Sequence, residues 1–197
     1  MSTTAPRRGR RPGSPDTRAA ILAAARQRFA QQGYAATSVR GIATDAGVDS
    51  SLVHHYFGTK EDLFVAALEL RVDPREVLPI VAEGGVDGAG ERLVRLFLSV
   101  WDDEESRTPL VAVARGVLDP GGQRLINDGF SRMVLQPLGT ALGIDRPEER
   151  MALVASQMFG MVLMRYLARI EPLASASPEW LVDVYAPVIQ GYLSGPI

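Results

Sequence analysis

Residues 37–60 read TSVRGIATDAGVDSSLVHHYFGTK, and how this stretch folds decides how the rest of the chain is arranged. Val39, Ile42, Ala43 and Ala46 recur at i, i+3, i+4 and i+7, which gives a short helix one apolar face. Thr37 stands where an N-cap is needed. Gly47 stops the helix, because glycine enters the left-handed region without a steric penalty. Asp49 can cap a second helix over 50–57, Gly58 stops that one, and Thr59 with Asp62 starts a third in a capping-box pattern. Two short helices around a glycine turn form the helix-turn-helix layout, in which the second helix can lie in a DNA groove. Ile42, Ala46, Val48 and Val53 supply the small core between them. The spacing alone is a weak signal, since any helical hairpin needs a glycine and apolar periodicity.

Upstream, Ser14, Pro15 and Asp16 suit a helix start, Ile21, Leu22, Ala25 and Phe29 line one face, and Gly33 ends the helix. Residues 1–14 contain nothing to bury and are expected to form a disordered arm. Arg7, Arg8, Arg10 and Arg11 fit phosphate or minor-groove contacts, with a solubilising tail as the alternative. Downstream, a helix from 61 to about 71 leads into Pro74, Pro79, Gly84, Gly85, Gly88 and Gly90, a composition that predicts a loose connection. Helical periodicity then resumes near Glu91 and recurs over 110–118, 123–142 with a kink near Pro137, 147–170, and 178–193. No segment alternates with period two, so the chain reads as all-α with about nine helices. The expected organisation is an arm over 1–14, a helix-turn-helix DNA-binding domain over 15–60, and a helical ligand-binding and dimerisation domain over 61–197.

Charge supports this division. Residues 1–60 carry nine basic side chains and three acids, net +6, whereas 61–197 carry 12 basic and 20 acidic, net −8. A basic end on an acidic remainder is the footprint of a nucleic-acid module. There is no cysteine, which excludes disulfides and thiolate chemistry. The two histidines, His54 and His55, are adjacent and point about 100° apart on a helix, so neither a catalytic triad nor a shared metal site can be built from them. The run Asp102, Asp103, Glu104, Glu105 superficially suggests a magnesium cluster but reads better as a solvated turn that starts a helix. The longest apolar run, 151–164, is broken by Ser156, Gln157 and Gly160 and is shorter than the ~20 residues of a membrane span. The N-terminus lacks the apolar core of a secretory signal. A cytoplasmic protein with no enzymatic activity, no cofactor, no metal and no membrane association is expected.

The stretch LVHHYFGTKEDLFVAAL over 52–68 resembles the most diagnostic part of the TetR/AcrR family of bacterial repressors, roughly L-Y-x-H-F-x-S-K-E-x-L. Val53, His54, His55, Tyr56, Phe57, Thr59, Lys60, Glu61 and Leu63 carry the match, with His54 standing where the family usually has tyrosine. The resemblance covers about 15–70; beyond it only the helical character agrees. It implies a homodimeric repressor of a near-palindromic double-stranded DNA operator, released by a small-molecule effector. Position by position, it directs Ser50, Ser51, Leu52 and His54 to base edges and lets Arg40 reach a guanine. Thr37, Ser38, His55, Tyr56 and Lys60 become phosphate candidates, with a core seat as the alternative for Tyr56.

Two further sites are expected in the C-terminal half. Phe97, Trp101, Phe130, Met133, Met158 and Met161 are large adaptable side chains that would line a ligand pocket if their helices converge, with plain core as the alternative. The 151–164 helix is apolar nearly all round and needs cover on every side. TetR-like proteins dimerise through their last two helices, which points to Val154, Phe159, Val162, Tyr185, Ile189 and Tyr192 as interface residues. Two other readings stay open: a non-specific architectural DNA binder, and a helical small-molecule carrier or enzyme with a vestigial helix-turn-helix.

Overall fold

The computed structural model describes residues 15–70, 73–116 and 125–197. The arm with Arg7, Arg8, Arg10 and Arg11, and the cap expected at Ser14, lie outside the described residues. Among the described residues there is no strand, and ten helices follow one another. They are α1 (Pro15–Ala36), α2 (Val39–Ala46), α3 (Ser50–Phe57), α4 (Lys60–Leu68), α5 (Pro74–Ala82), α6 (Ala89–Asp102) and α7 (Glu104–Gly116). Then come α8, wound with wider i→i+5 spacing over Leu125–Leu135 and α-helical over Gln136–Ala141, and α9 (Pro147–Met161), extended by a wide turn at Val162–Leu167. Last is α10 (Pro178–Ser194). None of the described helices is long and apolar enough to cross a membrane.

The chain punctuation around α2 and α3 follows the expected chemistry. Gly47 (φ 67) closes α2, and Gly58 (φ 75) closes α3. Asp49 Oδ1 accepts from the Ser51 amide at 2.8 Å. Thr59 and Asp62 form the reciprocal capping box, with the Thr59 amide donating to Asp62 Oδ2 at 2.9 Å and the Asp62 amide to Thr59 Oγ1 at 3.1 Å. Within α1, Gly33 leaves helical geometry at φ 77, ψ 170.

Three expectations are corrected. The cap of α2 is Ser38, whose Oγ accepts from the Gly41 amide at 3.1 Å. Thr37 is buried instead, and its hydroxyl donates to the Gly33 carbonyl at 2.7 Å, sealing the break in α1. The stretch read as a loose connection contains α5: Asp73 caps it, and Pro74 occupies the first position, where the missing N–H costs nothing. Pro79 removes a single internal bond, while Leu78 and Val81 are buried in the core. Finally, the boundary expected at residue 60 falls inside a packed unit. Leu63, Phe64 and Ala67 of α4 share one core with Ile21, Phe29, Ile42, Val53 and Phe57. Inside that core Phe64 meets Phe29 edge-on with ring centroids 4.9 Å apart, and Tyr34 at 5.1 Å.

A second core fills the C-terminal bundle, around Val94 and Leu98 of α6, Leu138 of α8, Met151, Val154, Met158 and Met161 of α9, and Leu181 and Ile189 of α10. Helices α6 and α10 approach to backbone contact at Gly90: a Cβ there would lie 2.6 Å from the Ala186 carbonyl oxygen. Gln190 spans the same seam, accepting from the Gly90 amide and donating to the Val86 carbonyl, both at 3.0 Å.

Candidate nucleic-acid interface

Helix α3 is fixed from within and open without. Val53 and Phe57 are buried in the N-terminal core, so the helix can sit in only one rotation about its axis. That rotation exposes Ser51, His54 and His55 and leaves Ser50 and Leu52 half-buried at the edges. Arg40 and Ser38, on and before α2, are exposed as well. The structure thus leaves Ser38, Arg40, Ser51, His54 and His55 exposed on the helix-turn-helix unit, with Ser50 and Leu52 half-buried.

The other three candidates are seated differently. Thr37 is buried and its hydroxyl is committed to Gly33, so it offers no free side-chain donor to a phosphate. Tyr56 packs against the core, and its hydroxyl is buried without a hydrogen-bond partner, the one such side-chain atom among the described residues. Of its two alternatives the structure takes the core seat. Lys60 is half-buried, with its ammonium 4.2 Å above the centre of the Tyr34 ring. Burial lowers its pKa, opposed by the attraction of Glu61. The Tyr34 hydroxyl in turn donates a short hydrogen bond to Glu61, and burial, then this bond, raises its pKa.

Two supporting features were missed by the sequence reading. Arg28 on α1 grips Asp45 on α2 with two hydrogen bonds, Nη2 to Oδ1 at 3.0 Å and a shorter one from Nε, and this holds the Asp45 carboxyl below its ordinary pKa. A Cβ at Gly41 would lie 2.5 Å from Arg28 Nη1, so this helix-interior glycine is what lets the guanidinium pass. An unexplained glycine inside an otherwise good helix was the available clue. Arg18 lies over the Phe57 ring at 5.1 Å. At the same end of α3, His54 Nδ1 is 2.8 Å from the Gly58 carbonyl oxygen.

The expected ligand-site residues do not converge. Phe97 and Trp101 stack at 5.7 Å, and Trp101 lies 5.1 Å from Tyr166. Met158 and Met161 are buried in the C-terminal core. Phe130, however, is exposed, and Met133 belongs to the N-terminal core, because α8 docks against α1. The aromatic cluster adjoins a polar latch rather than an open cavity. Asp102 accepts from the Tyr166 hydroxyl at 2.9 Å and from Arg165, which also donates to the Leu173 and Ala176 carbonyls. Asp102 is therefore no part of a solvated turn, and Asp103 caps α7 through the Ser106 amide at 2.8 Å.

A groove of about 530 Å³ opens elsewhere, between α4, α5 and α8, lined by Leu78, Pro79, Ala82, Met133, Pro137 and Leu138 with Glu61, Arg75 and Arg132 at its rim.

The interface residues are likewise redistributed. Val154 and Ile189 are buried in the C-terminal core, Val162 is buried too, and Tyr185 and Tyr192 pack against that core. Phe159 is exposed, as are Leu153 and Leu163 on the same stretch and Trp180, Val184 and Val188 on α10.

The comparisons with known proteins match both halves. A family model described as bacterial regulatory proteins, tetR family, matches residues 21–67. Another, described as tetracyclin repressor-like, C-terminal domain, matches residues 87–193, more than half of the chain. The chain belongs to the TetR family. A TetR-family regulator from Streptomyces coelicolor A3 is 44% identical in sequence, and its crystal structure aligns over 94% of this chain and 99% of that one with a TM-score of 0.52. An HTH-type transcriptional repressor of Mycobacterium tuberculosis is 38% identical over 105 residues, 49% of this chain and 56% of the relative. The repressor AcnR of Corynebacterium glutamicum is 35% identical over 90 residues, 46% of this chain and 43% of AcnR. The chain thus spans about half the length of the curated relatives it matches.

Proposed function

We propose that this TetR-family protein is a cytoplasmic, non-enzymatic, homodimeric repressor that binds a near-palindromic operator and leaves it when a small molecule binds. The observation that carries the reading is the α2–turn–α3 unit, whose buried Val53 and Phe57 turn Ser51, His54 and His55 outward while Arg40 is exposed on α2. In such a unit the second helix enters the major groove and flanking side chains hold phosphates. Ser50, Ser51, Leu52 and His54 would meet base edges, Arg40 a guanine, and Ser38 and His55 the backbone. Lys60 would add a phosphate contact if its ammonium swings off the Tyr34 ring. The exposed stripe Trp180, Val184 and Val188 at i, i+4 and i+8, with Leu153, Phe159 and Leu163, supports a two-fold interface through α9 and α10. Two α3 helices would then enter successive major grooves roughly 34–36 Å apart.

The groove between α5 and α8 favours an effector site at the junction of the two cores. A ligand there touches α4 through Glu61 and the N-terminal core through Met133. It can shift the equilibrium only by binding one arrangement of the halves better than the other.

Selection of preferred sites from a random duplex pool, followed by titration of the winners across a salt series, tests the reading. A palindrome with a steep salt slope is the expected result. Salt-sensitive binding with no enriched sequence would replace it with the architectural reading, and no binding at all would leave only the carrier reading.

A further inference from the structure

The His54 ring is tied at one end, and the tie decides what the other end can do. Its Nδ1 lies 2.8 Å from the carbonyl oxygen of Gly58. A carbonyl oxygen has no proton to give, so the proton in that bond sits on Nδ1. A neutral imidazole has only one ring proton, which leaves Nε2 with a bare lone pair. The backbone makes this arrangement durable. Gly58 closes α3 at φ 75, ψ −109, and its amide donates to the His54 carbonyl at 2.9 Å. Main chain and side chain therefore link the same two residues in both directions. A side chain at Gly58 would meet Asp62 Oδ2 at 2.9 Å, so the turn that presents this carbonyl is held by the capping box of α4 as well.

His54 is exposed on α3, next to Ser51 and His55 and away from the buried Val53 and Phe57. We propose that His54 is a specificity-determining hydrogen-bond acceptor whose Nε2 reads the exocyclic amino group of cytosine or adenine in the major groove. This inference rests on the DNA-binding reading above and adds the base class that one residue selects. Only two groups in the major groove donate, cytosine N4 and adenine N6; guanine N7 and O6 and thymine O4 all accept. A lone pair facing those acceptors gains no bond and repels, so guanine and thymine are rejected at that position. A tyrosine hydroxyl, which can donate as well as accept, would make no such distinction.

The test uses the full-length protein and two readouts. In the free protein at about pH 8, where imidazoles are neutral, the 15N shifts of the His54 ring should report a protonated Nδ1 and a lone-pair Nε2. Site selection with wild type should give cytosine or adenine at one position of each half-site, worth about tenfold in affinity. His54→Ala should lose that preference while keeping the rest of the consensus, and His54→Lys, a donor only, should switch it to guanine. Circular dichroism of both variants should match wild type, and the melting temperature should fall by only about 2–4 °C for the lost bond to Gly58. A proton on Nε2, or a consensus that His54→Ala leaves unchanged, overturns the proposal while the repressor reading stands. Failure of wild type to enrich any sequence overturns both, and the ring shifts still report the tautomer.

Discussion

Gly90→Ala and Gly191→Ala make the same chemical change in two helices, and the structure assigns them opposite signs. At Gly90 the added Cβ would sit 2.6 Å from the Ala186 carbonyl oxygen and 2.7 Å from the Gln190 amide nitrogen. Both are backbone atoms, so no side chain can turn away, and α6 must retreat from α10 by several tenths of an ångström. That retreat loosens Val94, Leu98, Leu181 and Ile189, all buried, and stretches the two 3.0 Å bonds through which Gln190 spans the seam. Overpacking of this kind costs about 1–3 kcal/mol. A weakened hydrogen bond adds roughly 1 kcal/mol, and the better helix propensity of alanine returns less than about 1 kcal/mol in the first turn. The net expectation is a loss of about 2 kcal/mol, which for a chain of this size lowers Tm by roughly 4–8 °C. At Gly191 a Cβ meets nothing within 4 Å, and the same substitution should raise stability by about 0.4–1 kcal/mol through the unfolded state. Urea and thermal unfolding at one fixed protein concentration measure both, because dimerisation would otherwise shift Tm by mass action. A Gly90→Ala protein as stable as wild type would refute the claim that α6 and α10 meet backbone to backbone.

Tyr56→Phe removes the buried hydroxyl that has no partner, so it should stabilise by about 1 kcal/mol in urea unfolding and leave DNA affinity unchanged; weaker binding would mean that the hydroxyl turns out to a phosphate in the complex. The Asp62 carboxyl, held at about 2 first by the Thr59 hydrogen bonds and then by Arg75, titrates below its ordinary 3.8. Its folded form prefers the carboxylate, so the contribution is full above about pH 4 and disappears as pH falls toward 2. Asp62→Asn should flatten the acid limb of a Tm-against-pH curve in that window, and an unchanged slope there would count against the capping box as its source. Gly129→Ala would put a Cβ 2.2 Å from Phe64 Cζ, with Phe29 and Tyr34 blocking the ring's escape. A loss of about 1–3 kcal/mol is expected, largely recovered by adding Phe64→Leu, and DNA titration of the pair reports whether the angle of α4 follows.

The helix-turn-helix was legible because its signals are local. Gly47, Asp49, Gly58 and the Thr59–Asp62 pair each act within four residues, and local backbone chemistry is what a sequence states directly. Thr37 and Ser38 are both good caps, and only the tertiary fact that Thr37 points into the break at Gly33 assigns the role to Ser38. The 74–82 helix was hidden by its prolines, although Asp73–Pro74 is itself a helix-start pair and Leu78 with Val81 supplies a buried face. The faces of α9 and α10 were not legible at all. A helix that is apolar nearly all round gives no sign of which side its own subunit claims, and the close approach that orients α10 lies at Gly90, ninety-six residues before Ala186. Val154, Val162 and Ile189 went inward, and Trp180, Val184 and Val188 were left outside.

Helix α8 explains the misplaced ligand residues, because it contributes to both cores. Its periodicity resembles that of any bundle helix, yet its side chains serve two cores. Met133 is buried with Phe29 and Phe64 in the N-terminal unit, whereas Leu138, five residues on, is buried with Met151 and Leu181 in the C-terminal one. The winding changes between them, at Leu135–Gln136, where Pro137 cannot donate back to the Met133 carbonyl. Wide i→i+5 winding beside a proline is a usual cause of a kink in a helix. Gly129 seats the Phe64 ring of α4 at a distance no side chain would permit, so α8 cannot slide without moving α4. Because α4 begins at the Thr59 cap, two residues past the end of α3, the two helices are joined through Gly58 and the capping box rather than through a long loop.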